Sequence, residues 1–419
     1  MIAAGTMEAL EQPLAILGLL LVVGAIVSGV AKRSFLSLTA LFVLAGFALG
    51  EGGLEVLDFD PRGGFVEALA VVALIVILFR DGLEVEAEML QKAWHLPFRK
   101  LVLAMPITGA LVACAAKLLT DLSWTEAFLL GALLSPTDPV LSSSVVTNPR
   151  VPRIVRHSLN LESGMNDGLA LPAVLALLAA LSAEDDFVWW QFVLQDVSLG
   201  LLTGAVVGAV GSRLLPRSSA LGEEISPHQK ALYGLGVAFA AYGLAVLQPE
   251  GNGFISVFVC AIVLGILRPD IRRCFESRSD DLIEIVKLGI FVVFGSLLTF
   301  GGLFGDGLAA VAIAAFVLFV ARPAAVFAAL LGNRDVDTPT KAFMAWFGPR
   351  GVATMTFSLL VLSEGIAEGE RLFNLAALVV FCSILLHGLT DNAGTAWIAR
   401  HAQRSEAAGR EPSGGVPAA

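Results

Sequence analysis

Apolar runs of about 20 residues, the length of helix that crosses a bilayer, recur along the whole of this 419-residue chain. The composition agrees with them, since 56% of the residues are hydrophobic and only 15% are charged. Soluble domains carry about 25% charged residues. Only helices and closed barrels satisfy every backbone polar group in lipid, and these runs are too long and continuous for barrel strands. The sequence therefore predicts an all-α polytopic membrane protein.

Charged residues and Gly- or Pro-rich breaks divide the chain into about thirteen predicted transmembrane helices, which we number as spans. They cover residues 12–31, 34–50, 65–83, 99–119, 124–146, 153–181, 187–215, 229–248, 252–268, 281–301, 307–332, 341–363 and 371–399. We treat residues 1–402 as one transmembrane domain. Residues 403–419 are rich in Gly, Pro and Ala, and we expect a short disordered cytoplasmic tail there.

The placement of the basic residues predicts the orientation of the chain. Of the 27 Lys and Arg residues, 21 fall in one set of alternate loops or in the tail, and three fall in the opposite loops. By the positive-inside bias, the N-terminus lies outside a cell (plasma) membrane and the C-terminus lies in the cytoplasm. The net charge of −10 argues against nucleic acid as a partner. The four cysteines lack paired spacing, so we expect neither disulfides nor a zinc site, and no cofactor.

Span 6 carries the densest set of polar residues inside any span. An ionisable group at the bilayer centre costs about 2.5–3.5 kcal/mol, so such residues are candidates for function. At helical spacing Glu162 shares a face with Asn166, and Ser163 shares the neighbouring face with Asp167. We interpret Asp167, about two turns into the span, as the functional acid. The alternative is an acid pair that neutralises nearby arginines, and that role suits Glu162 as well as a functional one does.

Spans 5 and 12 are both interrupted. Ser135-Pro136-Thr137-Asp138-Pro139 contains two prolines, each of which removes a helix hydrogen bond, so we expect an unwound segment with free carbonyls beside Asp138. Irregular backbone beside a buried acid indicates a cation site; a simple proline kink is the alternative, but it does not explain Asp138. Gly348-Pro349-Arg350-Gly351 places Arg350 at membrane depth, where it needs an acidic partner on span 5 or 6.

The positions of the two interruptions predict internal symmetry. With 187–215 as a linker helix, residues 12–181 and 229–399 form two six-helix repeats, and each interruption falls in the fifth helix of its repeat. The first repeat starts outside and the second starts inside, so the repeats are inverted. Matched broken helices in inverted repeats indicate a secondary-transporter site near the bilayer midplane.

Two other sets of charged residues receive structural interpretations. Lys287 and Glu284 are three apart on span 10, and we expect them to pair with each other rather than to form a gate. Arg322 lies toward the cytoplasmic side of span 11, beside Pro323, and we expect its side chain to reach the membrane interface.

Three motifs together carry a resemblance to a known family. They are Ser135 to Val140, Glu162 to Gly168 and Gly348 to Gly351. In order and spacing they resemble those of the monovalent cation/proton antiporter family 1, and in particular its NhaP-type sodium/proton antiporters. The resemblance extends over essentially the whole chain. It implies thirteen helices, a homodimer, and a core domain that moves past a static dimerisation domain.

The resemblance also implies a set of residues for the transported ion: Asp167, Glu162, Ser163, Thr137, Asp138 and Asn166. Asp167 is similar to the carboxylate that binds cation and proton in turn, and Thr137 to a residue that contributes its backbone carbonyl. Arg350 resembles the arginine that forms a structural ion pair with the span 6 glutamate, here Glu162. The Asn-Asp order at 166–167 resembles the electroneutral branch, which exchanges one cation per proton.

We therefore expect an antiporter that exchanges Na⁺ or Li⁺ for H⁺, with the two ions competing for Asp167. Monovalent cations, protons and the lipid bilayer are the partners expected. Exchange of K⁺ for H⁺ at the same site is the first alternative, because potassium-exchanging members share the motifs. A cation channel is an alternative from another class, although no TVGYG-like filter occurs. No Walker-type loop or HExxH motif occurs either, so we expect no ATP-driven pump and no enzyme.

Overall fold

The computed structural model describes most of the chain. The described residues are 38–89, 95–138, 148–182, 188–216, 225–247, 251–333 and 336–407, with isolated positions at 15, 18, 22 and 145. Predicted span 1 lies outside them except at three of these isolated positions. Residues 139–146 of predicted span 5, apart from position 145, also lie outside them, and these include Pro139 and Val140 of its motif; so do residues 408–419 of the predicted tail.

Within the described residues a helix lies on each predicted span from 2 to 13, and no strand is present. In span order the helices are Leu38–Leu49, Gly64–Met89, Leu96–Leu119, Trp124–Leu133, Arg153–Ser182, Trp189–Leu214, Pro227–Val246, Gly253–Leu267, Asp280–Ser296, Leu308–Ala329, the pair Thr338–Trp346 and Val352–Ser363, and Gly369–Ala407. The prediction of an all-α fold is confirmed.

Several helix boundaries differ from the predicted spans. The helix of span 13 continues to Ala407, so the first residues of the predicted tail are helical. A helix that we did not predict, Pro269–Arg278, follows span 9 at an angle of 117°. Five helices, those of spans 4, 6, 7, 11 and 13, are long and apolar enough to cross a bilayer as continuous segments. The other described helices are shorter, are broken, or have a lower hydropathy than such a continuous span.

Close helix packing positions span 6. Span 7 approaches span 9 through small residues, since a Cβ atom added to Gly204 would lie 2.4 Å from the Ser256 carbonyl oxygen. Span 9 in turn places the ring of Phe258 against span 6, where a Cβ atom on Gly168 would lie 2.4 Å from the ring. The face of span 6 next to Asp167 therefore packs closely on a neighbouring helix.

Two helices contain a π turn beside a basic residue. Lys100–Ala104 forms such a turn in span 4, and Val317–Ala321 forms one in span 11 directly before Arg322. π turns locally widen a helix and occur frequently at functional sites. Both basic side chains are buried, and both are directed to span 6.

Candidate functional site

The two interrupted spans cross each other at their extended segments. The helix of span 5 ends at Leu133, and the Asp138 backbone N–H donates a hydrogen bond to the Pro349 carbonyl at 2.8 Å. The Val352 N–H donates to Asp138 Oδ2 at 3.2 Å, so this carboxylate caps the positive end of the second half of span 12. A Cβ atom on Gly351 would lie 2.5 Å from the Asp138 carboxylate, so this close approach requires glycine.

Arg350 satisfies the carbonyls that the span 5 interruption frees. Its Nη1 donates to the carbonyl of Ser135 at 3.1 Å and to that of Pro136 at 2.9 Å. The Thr354 hydroxyl donates to the Leu133 carbonyl at 2.9 Å. Arg350 is only 1% exposed, and its charge lies at the negative end of the span 5 helix. The two broken helices therefore stabilise each other's ends with side chains of opposite charge.

Glu162 has partners different from the one predicted. Arg322 Nη1 donates to Glu162 Oε1 at 3.0 Å, and Lys100 forms an ion pair with the other carboxylate oxygen. The carboxylate is 6% exposed. The predicted ion pair between Glu162 and Arg350 is wrong, because the freed carbonyls of span 5 take the Arg350 guanidinium while two other cations already compensate Glu162.

Lys100 and Arg322 were not predicted as partners of Glu162. We counted Lys100 among the cytoplasmic loop residues, although span 4 was predicted to begin one residue before it, and we expected Arg322 to reach the interface. Both side chains are instead buried, and Lys100 also donates to the Ser158 hydroxyl at 3.5 Å. The helical registers at the two π turns are what direct them inward, and no sequence pattern that we used detects such turns.

On the neighbouring face of span 6, a cavity of about 50 Å³ borders Asp167. Ser163 and Asp138, both predicted site residues, also line it. Asp81 of span 3 and Lys287 of span 10 line it as well and were not predicted there. The structure thus brings four carboxylates, those of Asp81, Glu84, Asp138 and Asp167, around one small space, together with the hydroxyl of Ser163 and the cationic groups of Arg80 and Lys287.

The other predicted site residues lie behind this cavity. The amide of Asn166, 1% exposed, donates to the Thr137 carbonyl at 2.7 Å and to the Thr137 hydroxyl at 3.1 Å. This contact fixes the unwound segment of span 5 to span 6. Thr137, Asn166 and Glu162 do not themselves line the cavity in this structure.

Arg80 of span 3 and Lys287 of span 10 lie at the cavity, where the sequence did not predict them. We ended span 3 at residue 83, but the helix continues to Met89. Arg80 Nε pairs with Glu84 Oε1 at 3.2 Å, and both side chains line the cavity. Lys287 lines it too and forms no ion pair with Glu284, which is exposed, so the predicted pairing of these two residues is wrong.

A buried histidine holds the other end of the span 12 interruption. His387 Nε2 lies 2.9 Å from the Trp346 carbonyl oxygen, and its Nδ1 lies 2.7 Å from the Ser383 carbonyl oxygen. The Ser383 hydroxyl accepts a hydrogen bond from the Arg350 backbone N–H at 2.9 Å. Span 13 therefore contacts the backbone on both sides of the break. We did not single out either residue, because a lone His on an apolar helix has no distinguishing pattern.

The oxygen atoms around the cavity are the ligand type that hard cations prefer, and carboxylates also accept protons. Among the described residues, no three His, Cys, Asp or Glu side chains converge closely enough to hold a resident metal ion. The cavity has the dimensions of one or two waters.

Comparisons with known proteins indicate the family to which the chain belongs. The family model described as "Sodium/hydrogen exchanger, transmembrane" matches residues 18–393. The K(+)/H(+) antiporter NhaP of Alkalimonas amylolytica is 26% identical over 94% of this chain, and the K(+)/H(+) antiporter NhaP2 of Shewanella sp. (strain ANA-3) is 26% identical over 88%. The chain spans about two thirds of the length of these curated relatives, 68% of the first and 64% of the second.

A solved structure has the same fold. The sodium proton antiporter MjNhaP1 from Methanocaldococcus jannaschii at pH 8 superimposes with a TM-score of 0.79 over 93% of this chain and 99% of that one. At 19% sequence identity, this likeness establishes the architecture of the helices.

Proposed function

Because the chain belongs to the sodium/hydrogen exchanger family, we propose that it is a secondary antiporter that exchanges Na⁺ or Li⁺ for H⁺ across a cell membrane. The observation that carries this proposal is the cavity that places Asp167 beside Asp81, Asp138 and Ser163, next to two broken helices. Buried carboxylates in such a place need either a proton or a cation.

Competition for Asp167 supplies the coupling. Burial disfavours a bare carboxylate, so Asp167 binds a proton or a cation in turn. A cation receives oxygen ligands from Asp167, Ser163 and Asp138, while the contact between Asn166 and the Thr137 carbonyl holds the unwound segment in place. Because one carboxylate takes one ion of either kind, exchange is one-for-one and electroneutral.

Glu162 has a different part in this mechanism. Lys100 and Arg322 compensate its charge, and it contributes no oxygen to the cavity in this structure. We assign it the anchoring of spans 4 and 11 to span 6, which keeps a permanent charge away from the exchanging ions. Arg350 fixes the crossing of spans 5 and 12.

The same proposal includes the orientation of the chain in the membrane and its assembly. The basic loops face the cytoplasm, which places the N-terminus outside and the C-terminus inside. Spans 1–6 and 8–13 form inverted repeats joined by span 7, and two copies of the chain form a homodimer in which each core domain moves past a dimerisation domain.

Potassium is the second candidate cation, because the curated relatives named above are K(+)/H(+) antiporters while the solved structure is of a sodium proton antiporter. The deciding experiment uses the purified protein in proteoliposomes that contain a pH-sensitive dye, with Na⁺, Li⁺ and K⁺ added in parallel. We expect Na⁺ and Li⁺ to drive proton movement, and an imposed membrane potential to leave the rate unchanged.

Two variants complete this test. Asp167→Asn should abolish exchange, whereas Glu284→Gln, on an exposed residue outside the cavity, should retain it. Exchange by Asp167→Asn at the parent rate would exclude the mechanism. Strong acceleration by the membrane potential would exclude electroneutrality, and cation flux without proton movement would indicate a channel.

A further inference from the structure

A separate cavity of about 450 Å³ lies between the loop that joins spans 5 and 6 and the C-terminal turns of the span 13 helix. None of the residues that line it borders the cavity beside Asp167. Its volume falls within the range of about 300–1,000 Å³ that small-ligand pockets occupy. The cavity therefore has room for a ligand much larger than a single ion.

One face of the span 13 helix forms most of the wall of this cavity. The residues that contribute are Asn392, Thr395, Ala396, Ala399, Arg400 and Gln403. Their spacing of three and four residues places them on a single face of the helix. The two alanines are the small residues of this face, so they leave room between the longer side chains at positions 392 and 400.

The groups that this cavity offers to a ligand are hydrogen-bond donors. Asn148 and Arg150 line it from the loop, and Asn148 Oδ1 accepts a hydrogen bond from the Arg150 backbone N–H at 3.0 Å. The amide N–H groups of Asn148 therefore remain to donate to a ligand. Arg400 Nε donates to the Ala396 carbonyl at 3.1 Å, and its other guanidinium N–H groups are the donors nearest the end of the side chain.

The charge of the cavity is positive. Arg150 and Arg400 line it from two different segments, and among the described residues no Asp or Glu does so. The positive-inside bias accounts for arginines on this side of the membrane, but Arg153, Arg156 and Arg404 follow the same bias without lining the cavity. Two like charges around one space repel each other, and an anion between them relieves that repulsion.

The identity of the donors specifies the kind of anion. A guanidinium group presents a planar fork of N–H donors that matches two oxygens of a phosphate group, and its charge strengthens both hydrogen bonds. The amides of Asn148 and Gln403 can donate to further oxygens of the same group. A phosphate, with several acceptor oxygens and a negative charge, therefore fits this set of side chains.

The length of the span 13 helix places the cavity outside the hydrocarbon core. The helix Gly369–Ala407 has 39 residues. Asn392 lies about 35 Å along it from Gly369, and Gln403 lies about 51 Å along it, at 1.5 Å per residue. The hydrocarbon core of a bilayer is only about 30 Å thick. The cavity therefore begins near the lipid headgroups and continues into the water, where both lipid phosphates and soluble phosphate esters can reach it.

We propose that this cavity binds a phosphate group, with Arg150 and Arg400 as its charged ligands and the amides of Asn148 and Gln403 as further donors. The phosphate belongs to an anionic lipid headgroup or to a soluble phosphate ester, which share this chemistry. Its binding joins the loop between spans 5 and 6 to span 13, so it stabilises the folded protein. This site goes beyond the proposed function and does not depend on which cation is exchanged.

The test uses the full-length protein in nanodiscs, and it has one arm for each source of phosphate. In phosphatidylcholine nanodiscs, calorimetry measures the Kd of glycerol phosphate, with glycerol as the uncharged comparison. In nanodiscs that also contain phosphatidylglycerol, native mass spectrometry counts the phosphatidylglycerol molecules that each protomer retains. Binding of glycerol phosphate identifies a soluble source, and retention of phosphatidylglycerol identifies a lipid source.

Two variants separate a built site from general positive charge. Arg150→Gln/Arg400→Gln should weaken binding about tenfold or more, because each arginine supplies charge-assisted hydrogen bonds. Ala396→Leu should also weaken it, because the larger side chain fills the cavity without a change in charge. This second variant keeps the test valid if the double variant folds poorly.

Arg213→Gln is the matched control. Arg213 is an exposed arginine near the C-terminal end of span 7, and it donates to the carbonyl four residues before it at 3.1 Å, as Arg400 does. It does not line the cavity, so its substitution should leave binding unchanged. Absence of binding by the parent protein in both arms would overturn the proposal. Unchanged binding by Ala396→Leu, or a loss in Arg213→Gln as large as in the double variant, would also overturn it.

Discussion

Span 6 carries two acids five residues apart whose surroundings are opposite. Glu162 lies between Lys100 and Arg322, while Asp167 borders a cavity that also contains Asp81 and Asp138. Both acids lie on one helix and are close in sequence, so residue type alone does not distinguish them. The difference arises from the neighbouring helices. Spans 4 and 11 direct two cations to the single acid on one face, whereas the other face meets three further acids from spans 3 and 5 and only two cations, Arg80 and Lys287.

A buried carboxylate is therefore structural when fixed cationic side chains neutralise its charge, and functional when they do not. An acid with two fixed cations has no need of a mobile one, whereas an acid among other acids does. Under the proposed function, the same helix thus provides a fixed anchor and an exchanging site. Four predictions test this difference between the acids and their surroundings, and they follow in order of decreasing effect.

The comparison itself predicts that the two acids respond oppositely to neutralisation. Glu162→Gln should destabilise the fold by about 3–5 kcal/mol, because it leaves two buried cations uncompensated. Asp167→Asn should keep or raise thermal stability, since it removes one of several clustered carboxylates. Thermal melting of both purified variants in detergent measures this contrast, with Glu284→Gln as the control. Equal destabilisation by the two substitutions would show that the acids are equivalent.

Arg350 provides the second test, because it is a buried cation whose guanidinium donates to backbone carbonyls. Arg350→Ala should lower the stability by about 2–3 kcal/mol, since the carbonyls of Ser135 and Pro136 lose their donor. Its main effect should be on the amount of folded protein in the membrane. Arg350→Lys keeps the charge and should recover part of the loss. If Arg350→Ala folds normally but shifts the ion affinity, Arg350 belongs to the exchanging region instead.

His387 tests whether the crossing depends on span 13. Ser383→Ala removes the acceptor of the Arg350 N–H, and His387→Ala removes the group beside the Trp346 carbonyl. Each should cost about 1–2 kcal/mol, a typical value for one buried hydrogen bond left without its partner. His387→Gln keeps a donor and should be milder. If all three variants melt at the same temperature as the parent protein, span 13 does not hold the break.

The smallest effect concerns a compensated acid in contact with water. Asp270 accepts two hydrogen bonds from Arg268, which lower its pKa to about 2, and Lys230 lies 3.4 Å away. An unfolded Asp has a pKa of about 3.9, so this contribution is complete above pH 4 and is lost as the pH falls toward 2. Water screens the pair, and we expect less than about 1 kcal/mol.

Thermal melting between pH 6 and pH 2 tests this last prediction. The parent protein should lose stability relative to Asp270→Asn as the pH falls, because the variant has no carboxylate to protonate. A constant difference between the two proteins over that range would contradict it.

The sequence predicted helix positions well, because lipid imposes a fixed length on an apolar helix. Span 6, predicted at 153–181, is the helix Arg153–Ser182, and both predicted interruptions occur where Pro residues remove backbone donors. Prediction failed where charge was taken as the end of a span. Span 3 continues to Met89, since a cavity and an ion pair accommodate Arg80 and Asp81 inside the helix.

Partners were harder to predict than positions. The sequence indicated that Glu162 and Arg350 are buried, and the nearest available pairing by motif was with each other. The actual partners depend on helical register at the two π turns and on which carbonyls the crossing leaves free. These are properties of three helices packed together, and no single segment encodes them.

The mutual capping of spans 5 and 12 has a consequence for the synthesis of the chain. The carbonyls of Ser135 and Pro136 accept hydrogen bonds from Arg350, which is synthesised more than 200 residues later. At about 5–20 residues per second, the ribosome needs roughly 10–40 s to supply that partner. During this interval the carbonyls of Ser135 and Pro136 have no donor from Arg350, and the Asp138 carboxylate has no hydrogen bond from the Val352 N–H. The broken end of span 5 must therefore remain hydrated or be sheltered by the insertion machinery. The core of the protein is therefore completed late, when span 12 leaves the translocon.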